Sequence, residues 1–128
     1  MTTHPGVMPV RALIADDSGP MRVIIRRALN ALGIEEVVEA RDGDEALKIF
    51  KSSSFSLVLT DYNMPHKNGL QLVKDLRELG ADVPIVMVTT ESERHTVIEA
   101  IQAGVSDYLI KPFDSELLKK KLEKIWGN

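Results

Sequence analysis

The chain has 128 residues, 44% of them hydrophobic and 27% charged, and no apolar run approaches the roughly 20 residues of a membrane-spanning helix. Its formal net charge of −3 excludes the strongly basic surface of proteins that hold nucleic acid by its phosphates. The absence of cysteine excludes disulfides, thiolate catalysis and sulfur-ligated metals. Because the first residues carry no export signal, we expect a soluble cytoplasmic domain with no membrane or nucleic-acid partner.

The start of the chain predicts one strand and one helix. Residues 10–15 form a mostly apolar run that ends in two aspartates, Asp16 and Asp17, and is followed by Pro20. This order is typical of a buried strand that leads into the first turn of a helix. Apolar residues at helical spacing from Met21 to Leu32, with Ile24 among them, predict the helix, and Gly33 predicts its end.

Four more pairs of a strand and a helix follow in the same order. The predicted strands are the apolar runs at 36–40, 55–60, 85–88 and 108–110. The predicted caps of the second, fourth and fifth helices are Asp42, Thr90 and Asp114, and apolar residues at helical spacing from Leu70 to Leu79 predict the third helix. The expected buried side of the fourth helix contains Val97, Ile98 and Ile101, and that of the fifth contains Leu117, Leu118, Leu122, Ile125 and Trp126.

Strict alternation of apolar strands and amphipathic helices predicts the fold class. Such strands need crossover connections and therefore form a parallel sheet that is covered on both faces. We expect an α/β domain with a doubly wound five-stranded parallel sheet and five helices over residues 9–128, preceded by a flexible tail at 1–8.

Polar residues with complementary chemistry follow four of the predicted strands. Carboxylates stand after the first and third strands, at Asp16, Asp17 and Asp61, while Thr89 and Lys111 stand at the ends of the fourth and fifth. In an open parallel sheet, ligands bind outside the carboxyl ends of the strands. Three neighbouring carboxylates need a cation, and oxygen ligands suit Mg²⁺. The set predicts a site for a phosphoryl group with Asp61 as the nucleophile.

Four segments in a fixed order carry a resemblance to a known family. They are Asp16-Asp17, Asp61-Tyr62-Asn63-Met64-Pro65 with Gly69, Val88-Thr89-Thr90-Glu91, and Lys111-Pro112-Phe113. Together they resemble the receiver domain of two-component response regulators, and the resemblance covers the chain from Val10 to Trp126. It implies the flavodoxin-like strand order 2-1-3-4-5 that is known for this family.

The resemblance also implies roles for single residues around the phosphorylation site, Asp61. Mg²⁺ would be bound directly by Asp17, by Asp61 and by the backbone carbonyl of Asn63, and through water by Asp16. Lys111 would contact Asp61 and then the phosphoryl oxygens, and its bond to Pro112 would be cis. Thr89 and Tyr108 would act as the switch pair. The residues expected to modulate the reaction are Asn63, Thr90 and Glu91.

Similarity to chemotaxis regulators of the CheY type implies the biological setting. The implied partners are a sensor histidine kinase, the flagellar motor switch protein and a dedicated phosphatase, and the partner surface would contain Arg94, Tyr108, Lys121 and Lys124. The chain would be a mainly monomeric, stand-alone regulator that catalyses only its own phosphorylation and dephosphorylation. Because the chain ends soon after the fifth helix, we expect its own surface to be the output.

Three alternative functions share parts of these features. A phosphorelay intermediate would pass the phosphoryl group to a histidine phosphotransfer domain. A metal-dependent aspartyl phosphatase also uses an Asp nucleophile, but it expects Asp where this chain has Asn63. A flavodoxin-like flavin carrier needs a phosphate-binding loop after the first strand, where Asp16 and Asp17 repel phosphate.

Overall fold

A computed structural model of the chain describes residues 11–125. The expected tail at 1–8, together with Val10 and Trp126, lies outside these residues. Strands and helices alternate in the order β1 (Arg11–Ala15), α1 (Gly19–Ala31), β2 (Glu36–Ala40), α2 (Gly43–Ser52), β3 (Leu57–Thr60), α3 (Gly69–Glu78), β4 (Ile85–Thr89), α4 (Arg94–Ala103), β5 (Asp107–Ile110) and α5 (Ser115–Ile125).

The five strands form one parallel sheet in the order β2-β1-β3-β4-β5, which confirms the predicted fold class. In this register Ala15 lies between Ala40 of β2 and Thr60 of β3, and Thr89 lies beside Ile110. The last residues of all five strands therefore meet at one edge. The residues that follow these strands are brought together at that edge, on both sides of β3.

Alternating residues of β1 show how the sheet divides the core into two layers. Ala12 and Ile14 pack on one face with residues of α1 and α5, while Leu13 and Ala15 pack on the other face with residues of α2, α3 and α4. Both sets are fully or almost fully buried, which explains why the strand is apolar at successive positions. Within residues 11–125, no helix is long and apolar enough to cross a membrane.

Helix ends confirm two predicted caps and correct a third. The carboxylate of Asp42 accepts a hydrogen bond from the backbone N–H of Glu45 at 2.8 Å, and that of Asp114 accepts one from Glu116 at 2.7 Å. The prediction that Thr90 caps the fourth helix is wrong. Glu93 is the N-cap of α4, and its side chain makes no capping hydrogen bond within the described part of the chain.

Four hydrophobic residues that the sequence placed on buried sides are exposed. The exposed fraction is 50% for Ile24, 42% for Ile98, 56% for Ile101 and 45% for Leu117. A helix on a sheet buries a stripe roughly 100° wide, so side chains at the border of the apolar pattern turn outward. In α4 the buried residues are instead Thr96 and Ala100, which are small enough to let α4 lie close to the layer beneath it.

Candidate functional site

Three carboxylates lie together at the carboxyl edge of the sheet. Oxygen atoms of Asp16, Asp17 and Asp61 all lie within 4.8 Å of one another. They meet because β1 and β3 are paired neighbours whose last residues, Ala15 and Thr60, are in register. Asp16 and Asp61 are only 1% and 8% exposed, whereas Asp17 is open to solvent. This arrangement brings two buried negative charges and one exposed negative charge into one small volume.

Lys111 supplies the positive charge that this cluster needs. Its Nζ lies 2.7 Å from Asp16 Oδ2 and 2.9 Å from Asp61 Oδ2. Burial by itself would lower the pKa of Lys111, but the hydrogen bonds that it donates to Asp16 and Asp61, together with the negative charges of these carboxylates, outweigh burial and raise that pKa above its usual value. The family resemblance implies the contact with Asp61. The equally short contact with Asp16 is a feature that only the structure reveals.

The second oxygen of each buried carboxylate is also occupied. Asp16 Oδ1 accepts a hydrogen bond from the backbone N–H of Ser18 at 2.9 Å, and Asp61 Oδ1 accepts one from Tyr62 at 2.6 Å. Charge-assisted hydrogen bonds of this kind hold a carboxylate in one orientation. Both aspartates are therefore oriented from two sides before any ligand binds.

Arg22 of α1 supports the cluster from behind, and sequence reasoning missed it. Its Nη1 donates to the backbone oxygen of Asp16 at 2.7 Å, and its Nε donates to Glu39 at 2.9 Å. Burial would raise the pKa of Glu39, but hydrogen bonds from Arg26 and Arg22 hold it below its usual value. An arginine in the first turn of the helix that follows a strand-end aspartate is a signal that could have suggested this contact.

Gly69 allows the backbone after Asp61 to fold back on itself. A Cβ at Gly69 would lie 1.9 Å from the backbone oxygen of Asp61, which is far inside van der Waals contact. The N–H of Gly69 donates to the carbonyl of Tyr62 at 2.8 Å. Only glycine fits this close approach, so the position of Asp61 depends on a residue eight positions later.

Glu91 joins three of the predicted site residues. Its backbone N–H donates to Thr89 Oγ1 at 3.3 Å, and its carbonyl accepts a hydrogen bond from the hydroxyl of Tyr108 at 2.8 Å. Its carboxylate accepts a hydrogen bond from Asn63 Nδ2 at 3.2 Å. The sequence indicates Glu91 only as a flanking residue. Glu91 and Asn63 lie in the loops that follow the adjacent strands β4 and β3, which brings their side chains within reach of each other.

Tyr108 is half-buried beside this link. Burial, followed by the nearby charges of Glu91, Tyr62 and Asp61, raises the pKa of Tyr108 to about 12. The phenol therefore stays a neutral hydrogen-bond donor throughout the neutral range. Thr89 is fully buried, whereas Thr90, the expected modulating residue beside it, is exposed.

The remaining predicted residues lie at the site or on the adjoining surface. The bond between Lys111 and Pro112 is cis. Arg94 and Lys124 are exposed on α4 and α5. Lys121 differs from them, because its Nζ lies 3.0 Å from Asp107 Oδ1 and so already has an acidic partner within the chain.

The fold and the strand-end cluster together define a class of flavodoxin-like α/β domain in which a buried aspartate lies beside a lysine and two further acids. The model of the response regulator receiver domain matches residues 12–123, and the chain belongs to this family. The chain is 45% identical over 121 residues to a chemotaxis protein CheY homolog of Campylobacter jejuni, covering 92% of this chain and 93% of that one. It is 44% identical to the chemotaxis protein CheY1 of Helicobacter pylori, covering 92% and 98%.

A solved structure gives the same assignment. The chemotaxis protein CheY4 of Vibrio cholerae superimposes with a TM-score of 0.84 at 34% identity, covering 93% of this chain and 99% of that one. Receiver domains are signalling modules and in general bind Mg²⁺. The three carboxylates at the edge of the sheet are a donor set of the kind that this ion prefers, so the residues present fit it.

Proposed function

We propose that this chain is a stand-alone response regulator whose Asp61 accepts a phosphoryl group from the phosphohistidine of a sensor histidine kinase. One observation carries the proposal. The buried carboxylate of Asp61 lies within 4.8 Å of two other carboxylates and 2.9 Å from the ammonium of Lys111. An acid in that position can be a nucleophile once a divalent cation and the lysine offset the charge around it.

The chemistry of this site is a phosphoryl transfer to a carboxylate. An oxygen of Asp61 forms a bond to phosphorus as the bond from phosphorus to the kinase imidazole nitrogen breaks, and the imidazole leaves. Hydrolysis returns Asp61 to its free carboxylate. A water oxygen forms a bond to phosphorus as the bond from phosphorus to the Asp61 oxygen breaks, and inorganic phosphate leaves. The chain catalyses only its own phosphorylation and dephosphorylation.

Each side chain around Asp61 has a part in this reaction. Asp17, Asp61 and the backbone carbonyl of Asn63 would hold Mg²⁺, and Asp16 would hold it through water. Bound there, the ion supplies positive charge to the phosphoryl oxygens. Lys111 exchanges its contact with the Asp61 carboxylate for one with a phosphoryl oxygen, while its second partner, Asp16, keeps the ammonium close to the site.

The hydrogen bonds of Glu91 offer a route from the site to the surface. Thr89 Oγ1 would turn to donate to a phosphoryl oxygen and give up the N–H of Glu91. Because Tyr108 is bonded to the carbonyl of the same residue, movement of Glu91 alters the support of the aromatic side chain. Asn63, Thr90 and Glu91 would set the rate at which water reaches the phosphoryl group.

The output that we propose is binding to the flagellar motor switch protein in chemotaxis. CheY-type proteins in general interact with a histidine kinase and the flagellar switch. The α4–β5–α5 face of this chain carries exposed cations at Arg94 and Lys124 and the half-buried Tyr108. The same elements carry three exposed isoleucines, Ile98 and Ile101 on α4 and Ile110 on β5. A cytoplasmic location, a mainly monomeric state and control by a dedicated phosphatase belong to the same proposal.

Phosphorylation is tested by intact-mass measurement after incubation with acetyl phosphate and Mg²⁺. The wild-type chain should gain the mass of one acid-labile phosphoryl group, and Asp61→Asn should gain none. Asp82→Asn is the matched control, because Asp82 is an exposed aspartate in the loop before β4, at the opposite edge of the sheet, and should be phosphorylated like wild type. Phosphate on Asp61→Asn, or none on wild type, would refute the proposal.

The output needs a separate experiment. Binding of the purified chain to a flagellar motor switch protein should increase when Asp61 is phosphorylated, and Arg94→Ala should reduce it. Transfer of the phosphoryl group to a histidine phosphotransfer domain, without any change in motor-switch binding, would favour the phosphorelay intermediate instead.

A further inference from the structure

The loop between β3 and α3 carries the proposed backbone ligand Asn63 and is held at Lys67. Residues 62–68 make up this loop, which begins next to Asp61 and ends at the N-cap of α3, Asn68. A carbonyl in a loop is a precise ligand only if the loop has one conformation. The contacts that hold the loop therefore bear on how strongly Mg²⁺ binds.

Lys67 is attached to the rest of the domain at its backbone as well as at its side chain. Its N–H donates to the carbonyl of Pro65 at 2.7 Å, closing a tight turn around His66, whose φ is 69°. Its carbonyl accepts a hydrogen bond from the N–H of Gly43 at 3.0 Å, at the first residue of α2. A Cβ at Gly43 would lie 2.4 Å from that carbonyl, so α2 is packed directly against the loop.

The side chain of Lys67 forms an ion pair with Asp75 of α3. Its Nζ donates to Asp75 Oδ2, and the two side chains are only 22% and 32% exposed. The hydrogen bond to Asp75 raises the pKa of Lys67 and outweighs the opposing effect of burial. The pair spans eight residues and connects the loop to the second turn of the helix that follows it, so it holds the loop to α3 in addition to the backbone contact with α2.

We propose that Lys67 is a positioning residue: its ion pair with Asp75 holds the β3–α3 loop, and with it the carbonyl of Asn63, in place for Mg²⁺. This inference rests on the proposed function, since it assumes that Asn63 is a metal ligand. The ion pair lies outside the cluster of Asp16, Asp17 and Asp61 and contacts none of them. Its effect on metal binding is therefore indirect and acts through the conformation of the loop.

The proposal is tested with Mg²⁺ alone, by titration calorimetry and by the backbone amide NMR signals of the full chain. Lys67→Met, Asp75→Asn and the double variant should each bind Mg²⁺ about 5- to 10-fold more weakly than wild type. The double variant should be no weaker than either single variant, because all three remove the same interaction. Lys67→Arg, which keeps the ion pair, should restore most of the affinity.

Two controls separate this role from a general loss of stability. Arg11→Met removes the cation of another ion pair, with Glu36 at 3.7 Å, at the amino edge of the sheet, and should leave the affinity for Mg²⁺ unchanged. At saturating Mg²⁺, Lys67→Met should accept phosphate from acetyl phosphate at the wild-type rate, because only binding of the ion is weakened.

The outcomes also distinguish this inference from the proposed function. Wild-type affinity for Mg²⁺ in both Lys67→Met and Asp75→Asn would overturn the role of Lys67 while leaving phosphorylation of Asp61 intact. Additive losses in the double variant would also overturn it, since the two residues would then act separately. Failure of the wild-type chain to bind Mg²⁺ or accept phosphate would instead refute the proposed function itself.

Discussion

The two halves of the site are held in different ways. The acidic half, which comprises Asp16, Asp17, Asp61 and Lys111, contains two buried carboxylates that are each bonded to Lys111 and to a backbone N–H. The switch half, which comprises Thr89, Glu91 and Tyr108, is connected by two hydrogen bonds between uncharged groups, at 3.3 and 2.8 Å. Charge-assisted hydrogen bonds are roughly twice as strong as neutral ones.

Helix α4, which lies beside the switch half, also has one firmly held end and one weakly held end. At the carboxyl end of α4, Arg77 donates from Nε and Nη2 to the carbonyl of Gly104 at 3.1 and 2.6 Å. At the amino end, the side chain of Glu93 makes no capping bond among residues 11–125. The structure thus combines a firmly oriented site for charge with a more weakly held segment that can respond to it.

The largest expected effect comes from breaking the backbone contact that positions Asp61. Gly69→Ala places a methyl group 1.9 Å from the Asp61 carbonyl, so the start of α3 must move, and we expect a loss of more than about 4 kcal/mol in the free energy of unfolding. Gly19→Ala is the matched control, because Gly19 also begins a helix but its Cβ would have an ordinary 3.6 Å contact. Urea unfolding of both variants measures the difference, and equal midpoints would contradict it.

Removing the cation of the acidic half should have the next largest effect. Lys111→Met leaves the buried carboxylates of Asp16 and Asp61 without their shared partner and should cost about 3 kcal/mol at pH 7. Folding raises the pKa of Lys111 above the ordinary lysine value of 10.5. Its contribution to the free energy of unfolding is therefore fully present below pH 10.5 and is lost only at higher pH. Unfolding with and without Mg²⁺ tests the cause: added Mg²⁺ should restore part of the loss, and no restoration would count against it.

A smaller effect is expected at the support behind the acidic half. Glu39→Gln removes charge from the contacts with Arg22 and Arg26 and should cost about 1 kcal/mol at pH 7. Folding lowers the pKa of Glu39 below the ordinary glutamate value of 4.5. The difference in free energy of unfolding between wild type and variant should therefore persist above pH 4.5 and disappear as the pH falls through the lowered pKa. Glu36→Gln is the control, since Glu36 is 69% exposed and its substitution should lower the free energy of unfolding at pH 7 by less than that of Glu39.

The smallest expected effect tests the switch half. Tyr108→Phe removes one neutral hydrogen bond to the Glu91 carbonyl and should cost less than about 1 kcal/mol, with the affinity for Mg²⁺ unchanged. In an ultraviolet titration of the wild-type chain, one of its two tyrosines should ionise at about 12, and the variant should lack that step. A loss as large as that of Lys111→Met would show that the two halves are held equally firmly.

Much of the fold could be predicted because its signals are local. Alternating apolar runs and helical spacing locate all ten elements, and Gly33, Gly80 and Gly104 follow three helices with positive φ, as expected of residues that end a helix. The four errors in predicted burial have one cause. Ile24, Ile98, Ile101 and Leu117 are apolar at helical spacing, but the spacing does not say how wide a stripe the neighbouring layer covers.

The residues of the site could be predicted from the sequence, but the side-chain contacts between them could not. Adjacent strand ends suffice to bring Asp16, Asp17 and Asp61 together, because parallel pairing in register is a property of the sheet. The contacts of Arg22 with Asp16, of Glu91 with Asn63 and of Lys67 with Asp75 depend on side-chain conformations that no periodicity encodes.

By itself, then, the sequence determined the fold class, the family and the residue types at the edge of the sheet, since hydrophobic periodicity and motif order are written along the chain. Only the tertiary structure decided that Lys111 is shared between two carboxylates, that Gly69 meets the Asp61 backbone, and that Lys121 is paired with Asp107. Each of these contacts joins residues that are distant in sequence or packed against one another, and it exists only once the helices and strands have taken their places.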